Sequence, residues 1–178
     1  MNLERHIFLT GFMGAGKSKV GAILAARLGR DFVDTDVLIE EAAGKSIPDI
    51  FREGGEEAFR RLEHEAVRRA SEMPASVISL GGGAVTREEN WEVIRRSGVS
   101  VYLQASPETI FERVSRKTHR PLLAGLNDQE RMEKIRSMLS VREPCYRRAD
   151  LIVESLEERT PERTADLIIQ KLERGGRG

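Results

Sequence analysis

The chain contains 178 residues, in which 29 lysines and arginines balance 29 aspartates and glutamates, so that the formal net charge is zero at pH 7. This balance excludes an overall positive field that would attract a nucleic acid or an anionic membrane surface. No apolar run reaches the roughly 18 residues that span a bilayer, and the single cysteine cannot form an internal disulfide. We therefore expect a cytoplasmic protein without a nucleic-acid or membrane partner, and the length predicts a single domain over residues 1–178.

Strand and helix patterns alternate along the chain. Segments with the helical spacing of apolar residues lie between short runs rich in Val, Ile and Leu. The runs predict buried strands at residues 7–9, 32–33, 77–80, 99–103 and 151–153. This alternation predicts an α/β fold. Two segments interrupt it, an insertion at about residues 37–70 and a basic segment at about residues 113–126.

Residues typical of helix ends support the predicted helices. Residues 86–89 and 127–130 each combine an N-cap side chain with a glutamate three positions later, the pattern of a capping box or its Asn variant. Gly29 and Gly98 follow helical segments at positions where a left-handed C-cap is expected.

The first predicted strand leads into Gly11-Phe12-Met13-Gly14-Ala15-Gly16-Lys17-Ser18, which matches the phosphate-binding pattern G-x-x-x-x-G-K-[ST]. Its glycines let backbone N–H groups approach a phosphate at the positive end of the helix that follows. Lys17 would add charge at the phosphates, and the Ser18 hydroxyl is a candidate Mg²⁺ ligand. The alternative is a flexible glycine turn without a ligand. A dinucleotide site is disfavoured because the sequence lacks G-x-G-x-x-G.

Two carboxylates follow the second predicted strand, in Asp34-Thr35-Asp36. A P-loop enzyme needs a carboxylate at the end of a neighbouring strand, because Mg²⁺ prefers oxygen ligands and keeps part of its water shell. We assign Asp34 to the metal's water shell and Asp36 to the acceptor hydroxyl, which it would orient and deprotonate during phosphoryl transfer. The alternative is a solvated Asx turn that closes the strand.

The insertion and the third strand supply candidates for binding the acceptor. Arg60 and Glu63 are three residues apart and share one helix face, so the acid can orient the guanidinium toward a carboxylate. The alternative is an ordinary surface ion pair. Gly81-Gly82-Gly83 follows the third strand and is either a loose turn or a place where backbone N–H groups reach a ligand.

The basic segment contains Arg113, Arg116, Lys117, His119 and Arg120. One interpretation is a charged, solvated face. The other is a mobile lid that brings Arg120 over the transferring phosphoryl group and excludes water, and we favour it because an ATP site needs a cover.

The combination of motifs resembles shikimate kinase over nearly the whole chain. The motifs are the P-loop at residues 11–18, Asp34-Thr35-Asp36, Phe59-Arg60-Arg61 with Glu63, Gly81-Gly82-Gly83, Arg120-Pro121-Leu122-Leu123, and Arg142 with Tyr146. The resemblance implies a nucleoside-monophosphate-kinase-like fold with a five-stranded parallel sheet flanked by helices. It also implies a monomer in aromatic amino-acid biosynthesis that converts ATP and shikimate to ADP and shikimate 3-phosphate.

The resemblance further implies a role for individual residues. Asp36, Arg60, Gly82 and Arg142 would contact shikimate, with the two arginines on its carboxylate. Ser18 and Asp34 would hold one Mg²⁺ per subunit, and Asp36, Lys17 and Arg120 would be catalytic. The implied ATP contacts are Gly14, Ala15, Gly16, Lys17, Ser18, Lys19, Arg116, Arg120 and Arg159.

Two alternatives remain open from the sequence. A gluconate kinase or another small-molecule kinase of the same fold would keep the P-loop and the lid but change the arginines that bind the acceptor. A regulatory module would keep the nucleotide fold but sense a ligand without turning it over. The presence of Lys17, Asp34, Asp36 and Arg120 argues against the regulatory module.

Overall fold

Five parallel strands form one sheet in the order β2-β3-β1-β4-β5. The computed structural model describes residues 5–116 and 125–175. In chain order, β1 to β5 span His6–Thr10, Phe32–Asp34, Val77–Ser79, Gly98–Gln104 and Leu151–Glu154. The predicted α/β fold and five-stranded parallel sheet are confirmed.

Helices flank this sheet, which explains why its central strand is buried along its whole length. β1 pairs with β3 on one side and β4 on the other, and each of its residues is buried. The helices α1 to α7 span Lys17–Leu28, Thr35–Ala43, Ile47–Ser71, Glu88–Ser97, Pro107–Ser115, Asp128–Tyr146 and Pro161–Gly175. In the described ranges, none of them is long and apolar enough to cross a bilayer.

The insertion is made of α2 and α3. α2 begins at Thr35, directly after β2, and the Asp34 side chain caps it by accepting a hydrogen bond from the Asp36 N–H at 3.0 Å. The Ser46 side chain caps α3 through the Asp49 N–H. Gly55 interrupts α3 with a positive φ of 69°, so the helix is kinked just before Arg60 and Glu63.

Of the four predicted helix ends, two are confirmed and two are wrong. Asn127 forms the predicted capping box with Glu130, and Gly29 is a left-handed C-cap with φ 61°. Thr86 instead ends a short 3₁₀ helix, Ala84–Thr86, and α4 begins after Arg87 without a side-chain cap. Gly98 is extended, with φ −156°. Its lack of a side chain serves packing, because a Cβ there would lie 2.5 Å from the Phe8 ring.

The strand order brings the predicted site residues to one edge of the sheet. β3 lies between β1 and β2, and Asp34 at the end of β2 is in register with Ser79 at the end of β3. The P-loop that follows β1, the two aspartates that follow β2 and the glycines that follow β3 therefore meet at the carboxyl ends of these strands, where ligands bind in open α/β sheets.

Candidate active site

The P-loop wraps around the N-terminus of α1. Gly16 is the N-cap of this helix and has a left-handed φ of 95°. Gly11 has a φ of 141°, and a Cβ there would lie 2.6 Å from the Leu103 carbonyl oxygen, so only glycine fits. The Lys17 ammonium donates hydrogen bonds to the Gly11 and Phe12 carbonyl oxygens at 2.7 and 3.1 Å. The loop thus places a cation and the positive helix end beside the same cleft.

Ser18 and Asp34 are brought together as the metal assignment requires. The Ser18 hydroxyl donates a hydrogen bond of 3.0 Å to Asp34 Oδ2, while Asp34 Oδ1 accepts the Asp36 N–H. A hydroxyl and a carboxylate side by side are hard oxygen donors of the kind that Mg²⁺ prefers. Within residues 5–116 and 125–175, no group of three or more His, Cys, Asp and Glu side chains gathers to hold a metal.

Asp36 lies against Gly81-Gly82-Gly83, which we call the glycine turn. The Gly81 N–H donates a hydrogen bond of 3.1 Å to Thr35 Oγ1, in the residue next to Asp36. Asp36 Oδ1 and Glu63 Oε1 lie 2.9 and 3.1 Å from the point that a Cβ on Gly81 would occupy. The start of α2 and the middle of α3 therefore bring two carboxylates to one face of the turn.

Arg60 and Glu63 form a buried ion pair. Arg60 Nη1 donates a hydrogen bond of 2.6 Å to Glu63 Oε2, and the two side chains are only 11% and 1% exposed. Arg60 and Glu63 share one helix face, as predicted. Because both side chains are buried, the alternative of an ordinary surface ion pair is wrong. Burial raises the pKa of the Glu63 carboxyl, and the Arg60 guanidinium acts in the opposite direction. The guanidinium also lies 5.4 Å from the centroid of the Phe59 ring.

Arg142 and Tyr146 approach the glycine turn from α6. Arg142 Nη1 lies 3.7 Å from the point that a Cβ on Gly82 would occupy, and its guanidinium is 5.8 Å from the centroid of the Phe12 ring. The buried Tyr146 hydroxyl donates a hydrogen bond of 2.5 Å to the Gly82 carbonyl oxygen. Burial raises the pKa of Tyr146 to about 12, so the hydroxyl keeps the proton that it donates.

A cleft of about 620 Å³ runs from the P-loop to the connection between β5 and α7. Its walls include many of the residues that sequence analysis assigned to the nucleotide, the metal and the acceptor. They are Gly14, Gly16, Lys17, Ser18, Lys19, Asp34, Asp36, Gly82, Arg116 and Arg159. Arg60 and Arg142 are not among the described residues that line this cleft, but both lie beside the glycine turn, which contributes Gly81 and Gly82 to its lining.

Arg116 and Arg159 both line the cleft. Arg116 Nη1 donates a hydrogen bond to Glu157 at 3.0 Å, and Arg159 Nη1 donates one to the Glu154 carbonyl oxygen at 2.7 Å. The structure thus brings these two residues to the same cleft as the P-loop, although they lie far from it in sequence. Arg120 and most of the predicted lid lie outside the described residues.

Arg113 has a structural position that sequence analysis did not find. Its guanidinium donates hydrogen bonds to the Gly14 carbonyl oxygen at 3.3 Å, to Ser155 Oγ at 2.8 Å and to the Leu156 carbonyl oxygen at 2.9 Å. Ser155 Oγ in turn donates to the Ala15 carbonyl oxygen at 2.8 Å. These contacts join the P-loop to the β5–α7 connection. No spacing in the sequence indicates them, because they depend on the sheet order.

Sequence comparisons connect this site to one family. The profile of the shikimate kinase family matches residues 13–173. A shikimate kinase of Thermodesulfovibrio yellowstonii is 42% identical over 174 residues, which cover 98% of each chain. One of Thermus thermophilus is 47% identical over 93% of this chain and 89% of its own.

Structural comparisons give the same result. A shikimate kinase from Acinetobacter baumannii, solved in complex with shikimate, superposes with a TM-score of 0.90 at 36% identity and covers 98% of this chain and 96% of its own. A gluconokinase from Sinorhizobium meliloti superposes with a TM-score of 0.63 at 18% identity, covering 97% of this chain and 95% of its own. The second likeness is one of fold alone.

Proposed function

Because the chain belongs to the shikimate kinase family and is thus an ATP-dependent phosphotransferase acting on shikimate, we propose that it transfers the γ-phosphoryl group to the 3-hydroxyl at the glycine turn. One observation carries this placement. The P-loop, the Ser18–Asp34 pair and Asp36 line one cleft that ends at Gly81 and Gly82. The product, shikimate 3-phosphate, enters the synthesis of chorismate and the aromatic amino acids.

ATP binds with its phosphates on the P-loop. The backbone of Gly14, Ala15 and Gly16 and the N-terminus of α1 present N–H groups to the phosphates, and Lys17 and Lys19 add positive charge. Lys17 has to exchange its hydrogen bonds to the P-loop carbonyl oxygens for bonds to the phosphates. Adenine lies at the other end of the cleft, near Arg116 and Arg159, and Arg120 of the predicted lid completes the phosphate contacts.

Ser18 and Asp34 hold Mg²⁺, directly or through its water shell. The support is the 3.0 Å hydrogen bond between their side chains, which shows two hard oxygen donors at the mouth of the P-loop. Bound there, the ion supplies charge neutralisation at the β- and γ-phosphates. Asp34 also caps α2, so the same side chain fixes the start of the helix that carries Asp36.

Asp36 orients the acceptor hydroxyl and accepts its proton. The carboxylate lies at the end of the cleft beside Gly81 and is held there by the capped first turn of α2. Arg60 and Arg142 bind the carboxylate of shikimate, because a planar guanidinium can donate two hydrogen bonds to a carboxylate. Arg60 is oriented by its hydrogen bond to Glu63, and Arg142 lies over the Phe12 ring. Gly82 offers backbone contacts at the same place.

The proposal also covers the domain organisation, the oligomeric state and the cellular location of the protein. We take residues 1–178 to be one kinase domain with a substrate-binding insertion at 37–70 and a lid at 113–126. It acts as a monomer in the cytoplasm, and the single cysteine, which has no internal disulfide partner, is in keeping with that reducing compartment.

The test is ADP release from Mg·ATP by the purified protein in the presence of shikimate, gluconate, a set of nucleoside monophosphates, or no acceptor. We expect strong stimulation by shikimate alone. Stimulation by another compound would contradict the roles of Arg60 and Arg142 but keep the P-loop chemistry. Absence of turnover with every acceptor would favour the regulatory module.

A further inference from the structure

The backbone of the glycine turn is held by hydrogen bonds at each of its three residues. The first N–H donates to Thr35 Oγ1 at 3.1 Å, and the first carbonyl accepts the Ala84 N–H at 3.0 Å. The second carbonyl accepts the Tyr146 hydroxyl. The third accepts both the N–H and the hydroxyl of Thr86, at 3.0 and 2.7 Å. The turn therefore cannot retreat from a new side chain without breaking bonds that come from four different residues.

Charged side chains occupy the space that side chains on the turn would need. A Cβ on Gly81 would lie 2.9 Å from Asp36 Oδ1, and a Cβ on Gly83 would lie 2.5 and 2.7 Å from Arg60 Nη1 and Nη2. A real Cβ essentially never makes contacts this short. Neither glycine has a positive φ, so alanine could adopt the backbone at both positions. The need for glycine at these two positions is thus a matter of space beside the turn.

The groups that would have to move are the ends of flexible side chains. The backbone can therefore stay in place when the Asp36 carboxylate or the Arg60 guanidinium moves, but moving Arg60 also weakens its buried ion pair with Glu63. Their positions relative to the acceptor would be lost, because Arg60 is held from the other side by Glu63 at 2.6 Å. In enzymes, small misplacements of groups that hold or activate a substrate have large kinetic effects.

We propose that Gly81 and Gly83 are positioning residues with separate tasks. Gly81 leaves the space in which the Asp36 carboxylate meets the acceptor hydroxyl, and Gly83 leaves the space in which the Arg60 guanidinium lies beside the turn to receive the acceptor carboxylate. This inference rests on the proposed roles of Asp36 and Arg60. It divides one short motif into a position that governs the chemical step and a position that governs acceptor binding.

The test compares Gly81→Ala with Gly83→Ala, the same substitution two residues apart. Gly81→Ala should lower kcat by about a hundredfold through the misplaced base. Gly83→Ala should raise the KM for shikimate by about tenfold, since a hydrogen-bonded charge contact is weakened, and should change kcat much less. The KM for ATP should stay close to that of the unaltered protein in both variants. The melting temperature should stay close to it in Gly81→Ala and fall in Gly83→Ala, where the buried ion pair with Glu63 is weakened.

Double variants separate this inference from the roles on which it rests. If Gly83 acts through Arg60, then Gly83→Ala should have no further effect on the KM for shikimate in an Arg60→Ala background. Likewise, Gly81→Ala should not lower kcat further in an Asp36→Asn background. A full additional effect in either background would mean that the new methyl group clashes with the acceptor itself, and it would overturn the inference.

Two other outcomes are decisive. Equal changes of kcat and KM in the two glycine variants, or an equal fall in melting temperature in both, would indicate a general distortion of the turn and would also overturn the inference. If Arg60→Ala leaves the KM for shikimate unchanged, the proposed role of Arg60 fails, whatever Gly83→Ala does.

Discussion

The Ser18 hydroxyl donates a hydrogen bond to Asp34 Oδ2 and so joins the first turn of α1 to the last residue of β2. If this pair holds Mg²⁺, Ser18→Ala should raise the Mg²⁺ concentration needed for half-maximal activity, because one hard oxygen is lost. Ser18→Thr keeps the hydroxyl and should stay near the unaltered value. A Mg²⁺ titration at fixed ATP measures both. Identical curves for the alanine variant and the unaltered protein would count against the metal assignment.

Removing the charge of Asp36 should separate binding from chemistry. Asp36→Asn keeps the size of the side chain but cannot accept the hydroxyl proton, so kcat should fall by at least about a hundredfold while ATP binding persists. Steady-state kinetics with shikimate and a separate measurement of ATP affinity test the two parts. Near-normal turnover in the purified variant would remove Asp36 from the chemistry.

Arg142 should affect the acceptor more than the nucleotide. Arg142→Ala is expected to raise the KM for shikimate by about tenfold or more, through loss of a charged hydrogen-bond donor, with a much smaller change in the KM for ATP. Arg136 is a matched control on the same helix, since its side chain is 60% exposed and pairs with Glu108. Arg136→Ala should leave both constants unchanged. Equal effects of Arg142→Ala on both substrates would instead indicate a role in the lid or in folding.

The Tyr146 hydroxyl should stabilise the protein through the glycine turn. Tyr146→Phe leaves the half-buried Gly82 carbonyl without this donor, which should lower the free energy of unfolding by about 1 kcal/mol. Tyr102 stacks on Tyr146 at 5.1 Å between ring centroids, so Tyr102→Phe is a control that keeps the stacked rings. Urea denaturation compares the two variants. A loss of stability no larger in Tyr146→Phe than in Tyr102→Phe would argue against the hydrogen bond.

His6 should make stability depend on pH. Its Nδ1 accepts the Ser76 N–H and its Nε2–H donates to the Ser71 carbonyl oxygen, both at 3.1 Å, so the neutral ring is the form that fits. Burial lowers the pKa of His6 below its ordinary value. The unfolded chain then binds a proton more readily than the folded one. This contribution is therefore present above the unfolded pKa, which is near 6.5, and is lost as the pH falls through the folded pKa.

The matched variant for this pH effect is His6→Gln, which retains a donor and an acceptor but does not titrate. Denaturation at a series of pH values from about 7.5 to 5.5 spans the window below the ordinary histidine pKa. As the pH falls, the unfolding free energy of the unaltered protein should decrease more than that of the variant. A constant difference would show that His6 does not carry the effect.

Patterns local in sequence predicted the fold, and they also selected the residues of the proposed nucleotide site. The P-loop at residues 11–18, the acidic pair Asp34 and Asp36, and the alternation of apolar runs each express a short-range rule, and the structure places them accordingly. The pairing of Arg60 with Glu63 was also local, since it depends on one turn of helix.

Features that depend on the strand order were not predictable in the same way. The hydrogen bonds of Arg113 with Ser155 and of Tyr146 with Gly82 join residues that are 42 and 64 positions apart in the sequence. The left-handed C-cap predicted at Gly98 was wrong for a related reason. Close packing against the Phe8 ring explains that glycine, and no rule about helix ends contains such a contact.

The sheet order also imposes a sequence of events on the growing polypeptide. β2, which ends at Asp34, is an edge strand that pairs with β3, and β3 is synthesised only after the whole of α2 and α3. While the ribosome is still making the insertion, the P-loop already exists as a continuous segment, but the strand that aligns Asp34 and Asp36 with it does not. In every newly made molecule, the P-loop is therefore synthesised before the strand that positions the two aspartates beside it.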